Sequence, residues 1–350
     1  MATTTLDAAV PAPLLTRLGS RILRRETITR IQPYRGFCTA DGAFLTGRVL
    51  AKEGPAVPSP DDSAWMNFKA SYARWVTKDV PDALVEATFR GKRHLARTFE
   101  DGFFTFHLPT TPNLTRAPLW QTVPLRLPHT GVEATGKIFV PPASARFGVI
   151  SDLDDTVIDT QLGNLLRAAK LTFFHNAHTR RAFHGVADFY RALQGGPTGR
   201  DGNPVFYVSS SSWSLYDMLD DFLAHNGIPS GPLLLKGSAS DRTREAKRGH
   251  AHKLMKVRSV MEAYPDLPFL LIGDTGQRDP HLYLQAVREY GPARIHAVLL
   301  RDVTPHETGT ARQTAADLCA AEARELGVPM ARFADSAAAL EIAGRLGLVR

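Results

Sequence analysis

The sequence predicts an α/β fold, a parallel sheet flanked by helices, preceded by a small β-sandwich. From about residue 145 onward, short apolar runs of strand length alternate with segments of helical periodicity, which is typical of βαβ units. From residue 27 to 141, apolar and polar residues alternate between turn signals such as Asp41-Gly42 and Asp101-Gly102, which is typical of a sandwich.

Three regions follow from these patterns. We expect residues 1–26 to form a disordered start and a short basic amphipathic helix, residues 27–141 a β-sandwich-like domain, and residues 145–350 the catalytic domain. Leucines and arginines occupy neighbouring faces of the helix predicted at 13–25, so it can lie in an anionic membrane interface. Packing against its own protein is the alternative for this helix.

The composition limits the class of protein. A hydrophobic content of 43% is ordinary for a globular protein, and no apolar run approaches the roughly 18 residues of a membrane span. The start has no basic region followed by an apolar stretch, so no secretory signal is expected. Two distant cysteines predict no disulfide framework and fit a reducing cytoplasm. The net charge of +7 suits an anionic partner, which phosphate esters, anionic lipids and nucleic acid would all satisfy.

The run at 148–160 is an apolar strand that leads directly into a cluster of carboxylates, Asp152 and Asp154 among them. Buried carboxylates are costly unless a cation compensates them. In extended geometry residues two apart point to the same side, so one carboxylate can attack phosphorus while the other moves protons. A hard cation such as Mg²⁺ can balance their charge.

Two later strands end in loops of matching chemistry. The apolar strand at 205–208 is followed by Ser209 and Ser210, whose hydroxyl and backbone N–H groups can bind a phosphoryl oxygen. The strand at 268–272 leads into a Gly-Asp-x-x-x-x-Asp motif, in which Asp274 and Asp279 are candidate metal ligands. Three such loops in this order predict a phosphoryl-transfer site.

The motifs, together with the Asp-x-Asp-x-Thr pattern that ends at Thr156, resemble those of the haloacid-dehalogenase-like (HAD-like) phosphatases, which have a Rossmannoid sheet. The resemblance implies that Asp152 is the nucleophile and that Asp154 is the general acid and base. It also implies that Asp152, Asp274, Asp279 and the carbonyl of Asp154 bind Mg²⁺. We expect Thr156 to orient the loop beside the phosphate. Lys253 is the preferred catalytic lysine, because superfamily lysines precede the metal-binding strand by one helix, and Lys236 is its rival.

The combined motifs are similar to those of the fungal actin-patch-associated phosphatidate phosphatases and their bacterial relatives. The similarity rests on Ile-Ser-Asp-Leu-Asp-Asp-Thr, on Tyr-Val-Ser-Ser-Ser-x-Trp213 and on Leu-Ile-Gly-Asp-Thr-Gly-Gln-x-Asp-Pro. It implies Mg²⁺-dependent hydrolysis of phosphatidic acid to diacylglycerol and phosphate. From the cysteine usage and the basic helix, we expect a cytoplasmic protein, peripheral at the inner face of the membrane. In one departure, Ser212 stands where the family pattern has proline.

Two other functions remain open at this point. One is a phosphatase of another bulky phosphate, such as a nucleic-acid end or another phospholipid monoester. The chain lacks the aromatic–basic interleaving that binds single strands, so nucleic acid is not the expected partner. The other is a membrane-binding module with an inactive phosphatase fold. That hypothesis predicts the loss of a motif aspartate, and all four are present.

Overall fold

A computed structural model of the 350-residue chain describes residues 27–39, 41–53, 78–109, 119–153, 156, 185–237, 251–276 and 278–350. The chain divides into two compact units, of which one consists of residues 1–29 and 51–78 and lies mostly outside the described residues. The other consists of residues 30–50 and 79–350 and contains most of both sheets. The helix predicted at 13–25 lies outside the described residues.

Among the described residues before 140, nine strands belong to one hydrogen-bonded sheet. They are β1 (Thr27–Pro33), β2 (Gly36–Cys38), β3 (Ala43–Glu53), β4 (Lys78–Asp79), β5 (Leu84–Phe89), β6 (Lys92–Arg97), β7 (Phe103–Leu108), β8 (Trp120–Arg126) and β9 (Glu133–Phe139). The strand order is β1–β3–β2–β9–β8–β5–β6, and β4 and β7 also pair with β3.

The alternation in the sequence corresponds to burial in this sheet. In β5, Val85, Ala87 and Phe89 are buried while the residues between them are half-exposed, as a period of two requires. The predicted turn at Asp41-Gly42 joins β2 to β3, which pair antiparallel. The strand-rich character is therefore confirmed, whereas the two layers of a sandwich and the domain boundaries stay predictions.

Six further strands form a second, wholly parallel sheet. They are β10 (Gly148–Asp152), β11 (Val205–Ser212), β12 (Leu233–Lys236), β13 (Phe269–Asp274), β14 (Ile295–Arg301) and β15 (Met330–Phe333). Every residue of β10 and β13 is buried, which explains why both strands are continuous apolar runs up to their terminal aspartates.

Helices connect these strands. They are α1 (Val186–Gly195), α2 (Tyr216–His225), α3 (Ala251–Ala263), α4 (Asp279–Tyr290), α5 (Ala311–Glu325) and α6 (Ser336–Arg345), with a 3₁₀ turn (Trp213–Leu215) before α2. Helices α3, α4 and α5 share an apolar core with the sheet. The predicted parallel sheet flanked by helices is confirmed. None of the described helices is long and apolar enough to cross a membrane.

The strand order, β12–β11–β10–β13–β14–β15, determines where a site can form. The chain moves outward from β10 to β12 and then returns to the other side of β10 through β13. In parallel α/β sheets, ligands bind at the carboxyl ends of the strands where the order reverses in this way. That point lies between β10 and β13, whose last residues are Asp152 and Asp274.

Two details of this sheet differ from the sequence-based expectation. Strand β11 continues to Ser212 instead of ending at Val208, since a pairing of Ser212 with Lys236 of β12 extends the ladder beyond a register shift. The Ala-rich composition of residues 311–348 predicts a helical tail, broken near Gly327-Val-Pro329. It contains strand β15 at this break, which pairs with the buried β14. Cys38 and Cys319 are both buried and free.

Candidate active site

Three buried carboxylates converge at the carboxyl ends of β10 and β13. Asp152 is the last residue of β10, Asp274 is the last residue of β13, and Asp279 is the first residue of α4. All three are fully buried, and a carboxylate oxygen from each lies within 4.8 Å of those of the other two. The backbone N–H of Asp274 donates a hydrogen bond to Oδ2 of Asp279 at 3.3 Å. This bond links the end of β13 to the beginning of α4.

Lys253 bridges two of these carboxylates. Its Nζ lies 3.0 Å from Oδ1 of Asp152 and 2.6 Å from Oδ1 of Asp279, and the side chain is only 1% exposed. Burial by itself would lower the pKa of Lys253, but the charges of Asp152 and Asp279 outweigh it and raise the pKa well above its usual range. The lysine is therefore a permanent cation beside Asp152.

The composition of the cluster suits a hard divalent cation. Three carboxylates face one ammonium group, so these four side chains carry a surplus of negative charge where water is excluded. Such a surplus is costly in a protein interior unless a further cation compensates it. Mg²⁺ takes a few carboxylate oxygens and completes its shell with water or substrate oxygens. Asp152, Asp274 and Asp279 therefore fit a magnesium site.

The predicted phosphate-binding serines lie on the neighbouring strand. Asp152 and Val208 are register partners in the parallel ladder, so Ser209 lies one residue beyond the level of Asp152. Ser209 is fully buried, and its Oγ accepts a hydrogen bond from the backbone N–H of Ser211 at 2.9 Å. Ser210 is half-buried beside it.

The other predicted site residues have different positions. Thr156 is buried in a turn after β10, and its hydroxyl has no hydrogen-bond partner among the described residues. Lys236 is exposed at the end of β12, so of the two candidate lysines Lys253 is the one that contacts Asp152. Asp154 lies outside the described residues.

Two supporting features were missed by sequence reasoning. A Cβ atom on Gly273 would lie 2.5 Å from Oδ2 of Asp279, so only glycine lets α4 approach β13 this closely. Ser151 donates a hydrogen bond to the backbone carbonyl of Asp152 at 2.7 Å, and its hydroxyl also lies 2.5 Å from that of Tyr190. The close approach at Gly273 could have been predicted, because the glycine of the Gly-Asp motif is visible in the sequence. The contact between Ser151 and Tyr190 could not, because these residues are distant in the chain.

Comparison with known families identifies the segment that contains this site. A family model described as the catalytic domain of phosphatidate phosphatase APP1 matches residues 147–302. This segment of the chain is therefore similar to the APP1 catalytic domain. The match contains β10 to β14 and thus Asp152, Ser209, Lys253 and both motif aspartates of the third loop. It begins after β9, so the first sheet lies outside it.

Two fungal relatives cover a similar part of the chain. Phosphatidate phosphatase APP1 of Saccharomyces cerevisiae is 27% identical over 158 residues, which are 44% of this chain and 25% of the yeast protein. An uncharacterized protein of Schizosaccharomyces pombe is 26% identical over 156 residues, again 44% of this chain and 25% of the relative. The matched region thus spans about a quarter of the length of these relatives.

Similarity to solved structures is weak. A carbohydrate acetylesterase of Xanthomonas citri aligns with 83% of this chain and 72% of its own, at 12% identity and a TM-score of 0.26. A β-glucuronidase of Ruminococcus gnavus aligns with 88% of this chain and 45% of its own, at 9% identity and a TM-score of 0.24. Neither similarity is high enough to support a statement about fold or function.

Proposed function

We propose that this protein is a Mg²⁺-dependent phosphatase with a HAD-like fold that hydrolyses phosphatidic acid to diacylglycerol and phosphate. The observation that carries the proposal is the convergence of Asp152, Asp274 and Asp279 within 4.8 Å of one another, inside the segment that matches the APP1 catalytic domain. Both the surplus of carboxylates and the family point to transfer of a phosphoryl group.

The first chemical step is assigned to Asp152. A carboxylate oxygen of Asp152 attacks phosphorus, the bond from phosphorus to the glycerol oxygen breaks, and an aspartyl-phosphate forms. Lys253 favours this step in two ways. Its ammonium group, 3.0 Å from Oδ1 of Asp152, keeps the nucleophile ionised and orients it, and its positive charge attracts the phosphoryl oxygens.

Asp154 is proposed as the general acid and base. As a carboxylic acid it protonates the leaving glycerol oxygen, and as a carboxylate it then accepts a proton from the attacking water. That water breaks the bond between phosphorus and Asp152, which releases phosphate and restores the enzyme. Covalent catalysis of this kind divides one difficult displacement into two easier ones.

The phosphoryl group needs binding partners besides the nucleophile. Ser209 lies next to Asp152 on β11, and we assign its hydroxyl and the neighbouring backbone to one phosphoryl oxygen. Ser210 and Thr156 are proposed as further phosphate-binding hydroxyls. Bound Mg²⁺ would supply positive charge to the phosphoryl oxygens and neutralise the carboxylate surplus.

The net charge and the similarity to a named phosphatidate phosphatase support a substrate class and a location. A net charge of +7 suits an anionic membrane surface, and the yeast relative is named a phosphatidate phosphatase. We propose a cytoplasmic protein that binds the inner face of the membrane peripherally, with residues 13–25 as the candidate contact.

The test is phosphate release from phosphatidic acid in mixed micelles, with and without Mg²⁺, beside the same assay on a soluble phosphate ester. We expect Mg²⁺-dependent turnover of the lipid and its loss in the Asp152→Asn variant. The outcomes separate the alternatives. Turnover of the soluble ester alone would reject the lipid substrate, and turnover of 3′- or 5′-phosphorylated oligonucleotides alone would favour nucleic-acid ends. No turnover of any ester would reject the phosphatase.

A further inference from the structure

The first sheet contacts the parallel sheet beside the serine run of β11. Tyr34, between β1 and β2, is 3% exposed, and its ring centroid lies 4.3 Å from that of Trp213 and 4.5 Å from that of Tyr216. The ring of Phe103 from β7 contacts the same tryptophan at 5.9 Å. We call these four aromatic residues the Tyr34 cluster. Since Trp213 directly follows Ser212, the cluster lies where the serine run ends.

Polar contacts secure the same junction. The backbone N–H of Arg35 donates a hydrogen bond to the hydroxyl of Tyr216 at 2.8 Å, and the Arg35 guanidinium forms an ion pair with Asp220. Nε2 of Gln32 donates a hydrogen bond to Oδ1 of Asp217 at 2.5 Å. The three acceptors all belong to the first half of α2. The first sheet therefore positions the start of α2 by packing and by hydrogen bonds together.

The serine run depends on such support because its own strand pairing is irregular. The register between β11 and β12 shifts between Val208 and Ser212, so the ladder is not continuous across Ser209 to Ser211. On the C-terminal side, the Oγ of Ser212 accepts a hydrogen bond from the backbone N–H of Ser214 and caps the 3₁₀ turn that carries Trp213. The position of the run is thus determined partly by where Trp213 is held.

We propose that Tyr34 is a positioning residue for the phosphate-binding serine run. It acts through Trp213 and not by contact with the substrate. This inference rests on the proposed function, which assigns Ser209 to a phosphoryl oxygen. It gives the first sheet, which lies outside the segment matched by the family model, a role in the reaction. A displacement of a binding group by about 1 Å can cost on the order of 100-fold in rate, so a small shift of the run is sufficient to matter.

A second contact between the sheets offers a matched control. The ring of Phe37 from β2 lies 5.9 Å from that of Phe206, at the beginning of β11, and the hydroxyl of Tyr264 donates a hydrogen bond to the carbonyl of Cys38 at 2.8 Å. At about 3.3 Å per residue, Phe206 lies about 10 Å from Ser209 and about 23 Å from Trp213 along the chain. Loss of Phe37 therefore weakens the junction at a distance from the serine run.

The experiment compares Tyr34→Leu, Tyr34→Phe and Phe37→Leu with the wild type. We expect Tyr34→Leu to weaken inhibition by inorganic phosphate, and to lower kcat/KM for the phosphate ester, by about tenfold or more. Tyr34→Phe keeps the ring and should behave like the wild type. Phe37→Leu should lower Tm but leave the inhibition constant of phosphate unchanged. A general loss of packing would instead affect Tyr34→Leu and Phe37→Leu alike, and that result would overturn the proposal.

Amide hydrogen exchange of residues 209–213 tests the positioning without any turnover. The proposal requires faster exchange of this run in Tyr34→Leu and not in Phe37→Leu, and equal exchange in the two variants overturns it. A wild type without phosphatase activity would reject the proposed function, while the exchange data would still decide the positioning role. If Tyr34→Leu does not fold, Arg35→Gln and Asp220→Asn disrupt the same junction without loss of an aromatic ring and carry the same comparison.

Discussion

Two groups of buried polar side chains lie at the carboxyl ends of the parallel strands, and their surroundings differ. In the first group, Asp152, Asp274 and Asp279 lie together, and the ammonium of Lys253 bridges Asp152 and Asp279. In the second, Asp302 follows β14 and is fully provided with donors. It accepts hydrogen bonds from Nε2 of Gln313 at 2.9 Å and from the N–H of Thr304 at 3.0 Å, and an ion pair from Arg332 at 2.6 Å.

The two surroundings suit a proposed metal-binding site and a structural one. The protein provides Asp302 with partners of its own, so its burial costs little and the loops after β14 and β15 are held together. Around Asp152 three buried carboxylates lie together and Lys253 bridges two of them, an arrangement that the proposed metal ion and phosphate ester would stabilise. Burial of a carboxylate alone therefore does not distinguish the proposed site, whereas the clustering of three carboxylates does.

The largest expected effect concerns turnover. Asp152→Asn should lower kcat for the phosphate ester on the order of 10⁴-fold or more, because an amide cannot form the covalent intermediate. Asp302→Asn, measured in the same assay, should leave kcat close to that of the wild type. An equal loss in the two variants would mean that the two groups do not differ in function.

The next effect concerns stability without metal. Lys253→Met should lower the free energy of unfolding by about 3–5 kcal/mol, since it removes the cation between buried carboxylates. Urea denaturation without Mg²⁺ measures the loss. Arg332→Met should cost less, because Gln313 and Thr304 still donate hydrogen bonds to Asp302. A larger loss in Arg332→Met would contradict the proposed difference.

Magnesium should act on one group only. Saturating Mg²⁺ should stabilise the wild type by about 2.7 kcal/mol at 100 times its dissociation constant, measured as a rise in Tm. Asp274→Asn should lose most of this rise because it removes a proposed ligand, and Asp302→Asn should retain it. If Asp274→Asn responded to Mg²⁺ like the wild type, the assigned ligand set would be wrong.

The smallest effect on stability is expected from an ion pair on the surface, which is more exposed than the carboxylate cluster around Asp152. Arg258 donates hydrogen bonds to both carboxylate oxygens of Glu289, at 2.8 and 2.5 Å, and both side chains are about a third exposed. The hydrogen bonds from Arg258 lower the pKa of Glu289 below its usual 4.5. Solvent screening limits the contribution of such a pair to less than about 1 kcal/mol.

The lowered pKa of Glu289 determines how the stabilisation by the Arg258–Glu289 ion pair depends on pH. Because the folded state favours the ionised glutamate, the stabilisation is present above pH 4.5 and is lost as the pH falls through the lower, folded-state pKa. The stability difference between wild type and Arg258→Gln, from urea denaturation at several pH values, should therefore shrink below pH 4.5. A difference that grows on acidification would contradict this interpretation.

Several parts of the parallel sheet were predictable from local pattern. Continuous apolar runs identify β10 and β13 because both strands are buried on both faces, and an aspartate at the end of such a run is conspicuous. Strand β15 was not predictable in the same way. It has only four residues, of which Met330 and Phe333 are buried, a spacing of three that does not show the period of a strand. Pairing with β14 determines its conformation.

The sequence by itself determined which residue types follow which strands, and hence the order of the three motifs and the similarity to the APP1 catalytic domain. These are local properties, since alternation, apolar runs and acidic turns are all readable within a few residues. Only the tertiary structure decided that Lys253, and not Lys236, contacts Asp152, and that Tyr34 packs on Trp213 beside the serine run. Both contacts join residues distant in the chain. They depend on how strands and helices pack, which no local pattern records.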